Sequence, residues 1–235
     1  MRYFIILLVS VLLIINKANA DPSSKAEIEG IIKEYLLKNP EILIESLEKY
    51  RSSQELKIEE NKKLVINSYY KNRKYENLPF TGNKNGKIII TEFIDYNCGY
   101  CKKTLLAINE LVKKYEDLKV VFVDFPILSE TSYSAAKAAI AAYKQNIYFE
   151  YHSALLKNRK NIDDAYLIDL AKSFQVDIKK FKSDMNSENT LQILEDNIEF
   201  AKELNIRGTP SFIINKKIYP GAYEIKKLEE ILSKI

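Results

Sequence analysis

The chain of 235 residues has no tryptophan, one histidine, two methionines, two cysteines, six glycines and six prolines. Two cysteines cannot staple a chain of this length, so the fold has to rest on a core, and 46% hydrophobic residues supply one. The two cysteines and the lone His152, about fifty residues from them, fall short of the four Cys and His ligands that structural zinc requires. No internal repeat and no low-complexity tract is present. Long apolar runs are also missing after the first twenty residues. An excess of one charge is missing too. Without residues 1–20, which carry Arg2 and Lys17 and no acid, 34 basic side chains face 32 acidic ones. This gives no electrostatic case for nucleic acid or for an anionic membrane surface as a partner.

Residues 1–20 read as an export signal. Arg2 gives the positive start, Tyr3 to Ile15 is an apolar core interrupted by Ser10, and Ala18-Asn19-Ala20 is a small-x-small cleavage site. The core is shorter than the roughly 20 residues that span a bilayer. The alternative is an uncleaved N-terminal anchor. No cysteine follows Ala20 directly, which argues against a lipoprotein. Export puts both cysteines in a compartment where disulfides persist.

Residues 21–77 read as helical. Ser23 or Ser24 is a candidate cap, with Glu27 placed to close a capping box on Ser24. Ile28, Ile31, Ile32, Tyr35 and Leu36 share a face, and Asn39-Pro40 separates two helices. The second helix carries a stripe of Leu43, Leu47, Tyr50, Gln54, Ile58, Asn61, Val65 and Tyr69. Such a stripe needs a partner, either the main domain or another copy of itself. Asn77 to Gly86 is turn-rich and marks the expected domain boundary.

Lys87 to Asp95 is expected to be a strand covered on both faces, and Leu118 to Phe125 a second, with a helix from about Gly99 to Glu116 between them. This is a βαβ unit. Residues 129–205 read as short amphipathic helices packed in one layer. Ser211 to Ile214 and Lys217 to Tyr219 form a hairpin around Asn215-Lys216, and Ala222 to Lys234 is a terminal helix.

Both cysteines fall at the junction of the first strand and the helix, as Cys98-Gly99-Tyr100-Cys101. A structural bridge over so short a loop constrains the unfolded chain little. A redox pair fits better. At the first turn of a helix, unpaired backbone N–H groups favour a Cys98 thiolate, which makes Cys98 the attacking sulfur. Cys101, one turn on, is placed to resolve the mixed disulfide. Gly99 allows close backbone approach. A C-x-x-C motif after a strand and before a helix is a specific signal.

Glu92-Phe93, separated by four residues from Cys98-Gly99-Tyr100-Cys101, the helical block 129–205, and Gly208-Thr209-Pro210 before the last hairpin resemble the DsbA family of thiol:disulfide oxidoreductases. The resemblance covers residues 78–235. It implies an α/β thioredoxin fold with an inserted helical domain, here preceded by the helical segment 21–77. It also implies a cis peptide bond at Pro210, with the Thr209 backbone pairing with a substrate strand, and Glu92 as a buried acid beneath the pair. Such an acid has a raised pKa and exchanges a proton with Cys101. A rim position for Glu92 is the alternative. No dissociable cofactor and no metal are implied. The partners implied are unfolded or newly exported cysteine-containing proteins, and a membrane redox protein of the DsbB or DsbD kind. The implied location is the periplasm.

Two departures from that family matter. Gly99-Tyr100 stands where the best-known oxidases carry Pro-His, and Tyr100 cannot become cationic, so a less oxidising protein is expected. The N-terminal segment, with Gly-Tyr and Thr209, is similar to the ScsC-like branch, some of whose members oligomerise through that region and act as isomerases. Oxidation and isomerisation both stay open at this point. His152 reads as a packing or surface residue, Asp95 and Tyr96 as shaping the rim of the pair, and the charge runs Lys57 to Lys63 and Glu224 to Glu230 as solvated faces.

Overall fold

The computed structural model describes residues 22–72, 74–158 and 161–234. The export signal assigned to residues 1–20 lies outside them. Two compact units are present, one ending at Lys57 and one running from Ile58. Their border falls inside the second helix, upstream of the turn-rich stretch 77–86.

The first unit holds α1 (Pro22–Lys38) and the first part of α2 (Pro40–Lys71), broken at Asn39 as the Asn-Pro pair requires. Because α1 begins at Pro22, Ser23 and Ser24 lie within the helix and neither stands at the capping position. Ile28, Ile31, Ile32 and Tyr35 of α1, and Leu43, Leu47 and Tyr50 of α2, are each more than half exposed, at 52–62%. The stripe expected to need a partner therefore finds none within this unit.

The second unit is built on a five-stranded sheet in the order β1-β3-β2-β4-β5. The strands are β1 (Phe80–Gly82), β2 (Ile88–Ile94), β3 (Leu118–Asp124), β4 (Ser211–Ile214) and β5 (Lys217–Pro220). Only β2 and β3 run parallel, joined by α3 (Gly99–Lys114). β1 is a correction to the reading of residues 77–86 as turns. It pairs antiparallel with β3, from Phe80 opposite Val121 to Gly82 opposite Lys119. Three residues carry no readable alternation. Gly82 is required there: its φ is +85°, and a Cβ would stand 2.4 Å from the Leu118 carbonyl oxygen.

The period of two in the strands sorts the core into two faces. Ile90, Ile94, Val120, Phe122, Phe212 and Ile214 pack with Leu105, Ile108 and Leu111 of α3 and with Leu228 of the terminal helix α9 (Ile225–Leu232). Phe93, Val121, Val123 and Ile213 point the other way, onto Ile66 and Tyr69 of α2. The C-terminal end of α2 thus folds onto the sheet, and Tyr69 stacks on Phe200 with ring centroids 4.2 Å apart.

The region 129–205 is helical throughout its described elements: α4 (Glu130–Tyr143), α5 (Tyr148–Lys157), α6 (Asp164–Ser173), α7 (Ile178–Met185) and α8 (Glu188–Glu203). Ser129, Asp163, Asp177 and Ser187 cap four of them through side-chain oxygens. The region is not one layer. Residues of α4 to α7 join the α3 side of the core, whereas Ala201 of α8 and Leu204 just after it join Phe93 and Val123 on the opposite face. A sheet with two apolar faces needs cover on both, and α3 and α9 already occupy one. Among the described residues no helix is long and apolar enough to cross a membrane.

Candidate active site

Cys98 is the N-cap of α3, with φ −77° and ψ 115° and no side-chain capping bond. The turn that delivers it is fixed by Asp95. The Asp95 carbonyl accepts from the Cys98 N–H at 3.0 Å. One oxygen of the Asp95 carboxylate accepts from the Asn97 N–H at 2.8 Å and from the Ser132 hydroxyl at 2.7 Å. The other accepts from the N–H groups of Ile127 and Leu128, at 2.9 and 3.0 Å. The Asn97 amide adds donations to Ser129, Thr131 and Ser132. The redox turn is thereby bonded to the loop after β3 and to the start of α4. Asp95 and Tyr96 are each only 1% exposed, so they are buried supports of this turn and not its rim. An Asp two residues before an Asn is an Asx-turn signal that is legible in the sequence, but its distant partners are not.

The two sulfurs are inequivalent. Cys101 is completely buried, while Cys98 keeps a small opening to solvent at 6%. The Cys98 pKa is pushed down to about 5. The largest cause is a hydrogen bond from Cys101. Burial opposes it, and the Thr209 side chain and the N–H groups of Cys101 and Tyr100 assist. The helix N–H groups invoked from the sequence are therefore the smaller contributors. Burial pushes the Cys101 thiol well above its ordinary value, and its hydrogen bond to Cys98 pushes the same way. One proton shared between two sulfurs stays on Cys101, and the charge stays on Cys98.

Thr209 and Pro210 reach this site from the far end of the chain. The Thr209–Pro210 peptide bond is cis. The Cys98 thiol donates to the Thr209 carbonyl at 3.1 Å. The Thr209 hydroxyl is buried with no other hydrogen-bond partner and is the donor available to a thiolate. Glu92 lies beneath, 3% exposed, on the α3 side of β2, flanked by Phe122 of β3 and Phe212 of β4. Burial pushes its pKa up to about 8, partly offset by the Thr104 hydroxyl, which donates to it at 2.9 Å; the charge on Cys98 pushes it up further. Glu92 is thus buried and not at the rim. Thr104, one turn after Cys101, was not identifiable as its partner without the fold.

Gly99 and Tyr100 are exposed. A Cβ at Gly99 would meet nothing within 4 Å, so no close approach within the chain itself requires glycine there. The Tyr100 ring is 63% exposed, with the Lys103 ammonium 5.2 Å from its centroid. Ile127 and Leu128 add exposed apolar surface on the loop that Asp95 holds. His152 is a packing residue. Its Nδ1 lies 3.1 Å from the Tyr96 hydroxyl, and burial pushes its pKa down to about 3, so it is neutral. Asp124, at the end of β3, went unnoticed in the sequence. It is fully buried beside Tyr96, and burial pushes its pKa up to about 8.

Comparison with known proteins gives the same picture. Residues 74–234 match the family described as Thioredoxin, and residues 25–55 match the copper resistance protein ScsC N-terminal domain. A linker-deletion mutant of ScsC from Proteus mirabilis is 26% identical, with a TM-score of 0.67, over 93% of this chain and 100% of that one. The thiol-disulfide exchange protein alpha-DsbA2 from Wolbachia pipientis is 27% identical, with a TM-score of 0.66, over 74% of this chain and 96% of that one. Among curated sequences, the Na(+)/H(+) antiporter NhaA 3 of Salinispora tropica is 26% identical over 149 residues, 63% of this chain. The chain matches only 23% of the length of that antiporter.

Proposed function

The chain belongs to the thioredoxin superfamily, as a DsbA-like member with a ScsC-like N-terminal segment, and from that membership we propose that it is an exported thiol:disulfide oxidoreductase acting on secreted proteins. The observation that carries this reading is the inequivalent pair: a thiolate-prone Cys98 at a helix N-cap against a buried, protonated Cys101. In the oxidising direction, a substrate thiolate attacks Cys98 of the Cys98–Cys101 disulfide, and Cys101 leaves and takes up a proton. A second substrate thiolate then attacks the mixed disulfide and releases Cys98 as a thiolate. The substrate loses two electrons and the pair gains them. In the isomerising direction, the Cys98 thiolate opens a wrong disulfide and is expelled after reshuffling, with no net electron transfer. Glu92 is the proton partner of Cys101, the Thr209 backbone and Pro210 seat the substrate chain, and Gly99 and Tyr100 face it. The segment 21–77 and the thioredoxin-like body 78–235 have separate tasks.

Replacing Cys101 by serine tests this. The variant keeps the attacking sulfur and lacks the resolving one, so mixed disulfides on Cys98 are expected to accumulate with cysteine-containing partners and to disappear on reduction. If no adduct forms with reduced, unfolded ribonuclease under mild oxidation, the exchange reading is wrong, and a non-enzymatic holdase becomes the better one.

The N-terminal segment favours the isomerase side of the reading. Its apolar stripes are exposed within their own unit, and the match to the ScsC N-terminal domain covers this stretch. Self-association through residues 21–77 is the occupant we propose for the stripes. Light scattering on the chain lacking residues 1–20 is expected to give a multiple of the monomer mass, and Leu47→Glu is expected to lower it. A monomer at micromolar concentration rules self-association out. Residues 1–20 as an export signal put the protein in the periplasm. There an oxidase draws on a DsbB-like membrane partner and an isomerase on a DsbD-like one.

A further inference from the structure

Thr209 and Pro210 do more than meet Cys98. They also line a groove of about 910 Å³ shared by the later part of α2, the loop before β4 and the β4–β5 hairpin. Its charge is one-sided. Lys62, Lys63, Arg207, Lys216 and Lys217 line it, with Glu59 as the one carboxylate, and Glu59 is already paired with Lys62 at 2.8 Å. Lys63, Arg207, Lys216 and Lys217 are exposed. None of these four is in an ion pair among the described residues. A second concavity, between α2 and α8, has the opposite sign, with Asp196, Glu199 and Glu203 against Lys74. The hairpin tip adds a local sign. Asn215 and Lys216 both have positive φ, +46° and +61°, and a two-residue turn of this kind favours glycine at the position that Lys216 fills.

We propose that this groove receives an acidic, extended segment of the substrate, so that proteins with Asp or Glu a few residues from the reacting cysteine are preferred. The inference rests on the thiol-exchange reading. A chain joined to Cys98 lies against Thr209, because Cys98 Sγ is 3.1 Å from the Thr209 carbonyl. Thr209 and Pro210 are shared by the Cys98 site and the groove, and three to six extended residues beyond the reacting cysteine span about 10–20 Å. The cations are exposed, so they act chiefly by steering and by holding the encounter, and salt weakens them. The groove cations take no part in the covalent step.

The test uses the full chain without residues 1–20 and three mixed-disulfide peptides, identical around the cysteine. They carry two Glu, two Ser or two Lys placed three to six residues away. The second-order rate of exchange is expected to be about tenfold higher for the Glu peptide than for the Lys peptide at low ionic strength, with the ratio falling as salt is added. K216E/K217E, and separately K63E/R207E, are expected to erase or reverse that ratio. K179E/K182E on α7, outside the groove, removes the same charge and is expected to keep it. Equal rates for the Glu and Lys peptides, or equal loss of the ratio in the α7 variant, overturn the groove inference and leave thiol exchange standing. Failure of all three peptides to react removes the exchange reading instead.

Discussion

Serine in place of Cys98 is expected to reduce disulfide exchange to the uncatalysed background, and the wild-type Cys98 thiol is expected to ionise with a midpoint near pH 5. Both follow from the same geometry. Cys98 receives hydrogen bonds from Cys101 and from the turn that begins α3, while Cys101 is held protonated by burial. At pH 6.5 an ordinary cysteine is about 1% thiolate, so Cys98 carries roughly a hundred times more of the reactive form. The pH dependence of alkylation by iodoacetamide reads this directly, with Cys101 silent over the same range. The sign for stability follows from linkage. The folded-state pKa is depressed, so the stabilisation is present above the unfolded value and is lost as pH falls through about 5. A midpoint near that of free cysteine would contradict the assignment of Cys98 as nucleophile.

The second large effect belongs to Glu92. Its folded-state pKa of about 8 lies above the ordinary 4.5 because a carboxylate there would be cut off from water between Phe122, Phe212 and α3. A raised pKa gives stability that is fully present below the unfolded value and lost as pH rises through the folded one. The reduced protein therefore loses about 3 kcal/mol from this residue between pH 4 and pH 7. Glu92→Gln keeps the shape and an oxygen for the Thr104 hydroxyl but cannot ionise. Urea unfolding of the reduced proteins is expected to show the variant close to wild type at pH 4 and more stable by about 3 kcal/mol at pH 7. A difference independent of pH would mean that Glu92 is not the titrating group. The same variant is expected to release a bound partner more slowly, because Cys101 loses a carboxylate that interacts with it as a proton acceptor. A purely structural role for Glu92 would leave that rate unchanged.

Much of this site could be read in the chain because its chemistry is local. Spacing alone puts Cys98 and Cys101 one helical turn apart, and the apolar run Ile88 to Ile94 followed by an amphipathic run gives the strand-to-helix junction they need. The period of two along β2 also puts Glu92 on the same face as Ile90 and Ile94, the face that α3 covers. Less was legible where contacts are distant or elements short. β1 is three residues long and takes its shape from β3. The crossing of α8 to the opposite face of the sheet is decided by which surface was still uncovered, and no single amphipathic helix records that.

What the sequence determined by itself is the kind of chemistry and its place along the chain: two sulfurs, one turn apart, at a helix start in a βαβ unit. Composition settled that a core and not disulfides would hold the fold, and the near-balance of charge argued against nucleic acid. The attacking and resolving roles were already legible, but only the tertiary structure decided the main cause of the difference between the sulfurs. Burial is a property of the packed chain, and it keeps the proton on Cys101 and on Glu92 while leaving Cys98 its opening to solvent. It also decided what stands around Cys98. Thr209, a separation of 111 residues away, supplies the carbonyl that touches the sulfur, and lysines from α2 and the last hairpin come together only when both elements close on the loop before β4. Local sequence encodes local hydrogen bonds and periodicity, whereas pKa values and charge clusters depend on which distant surfaces exclude water together.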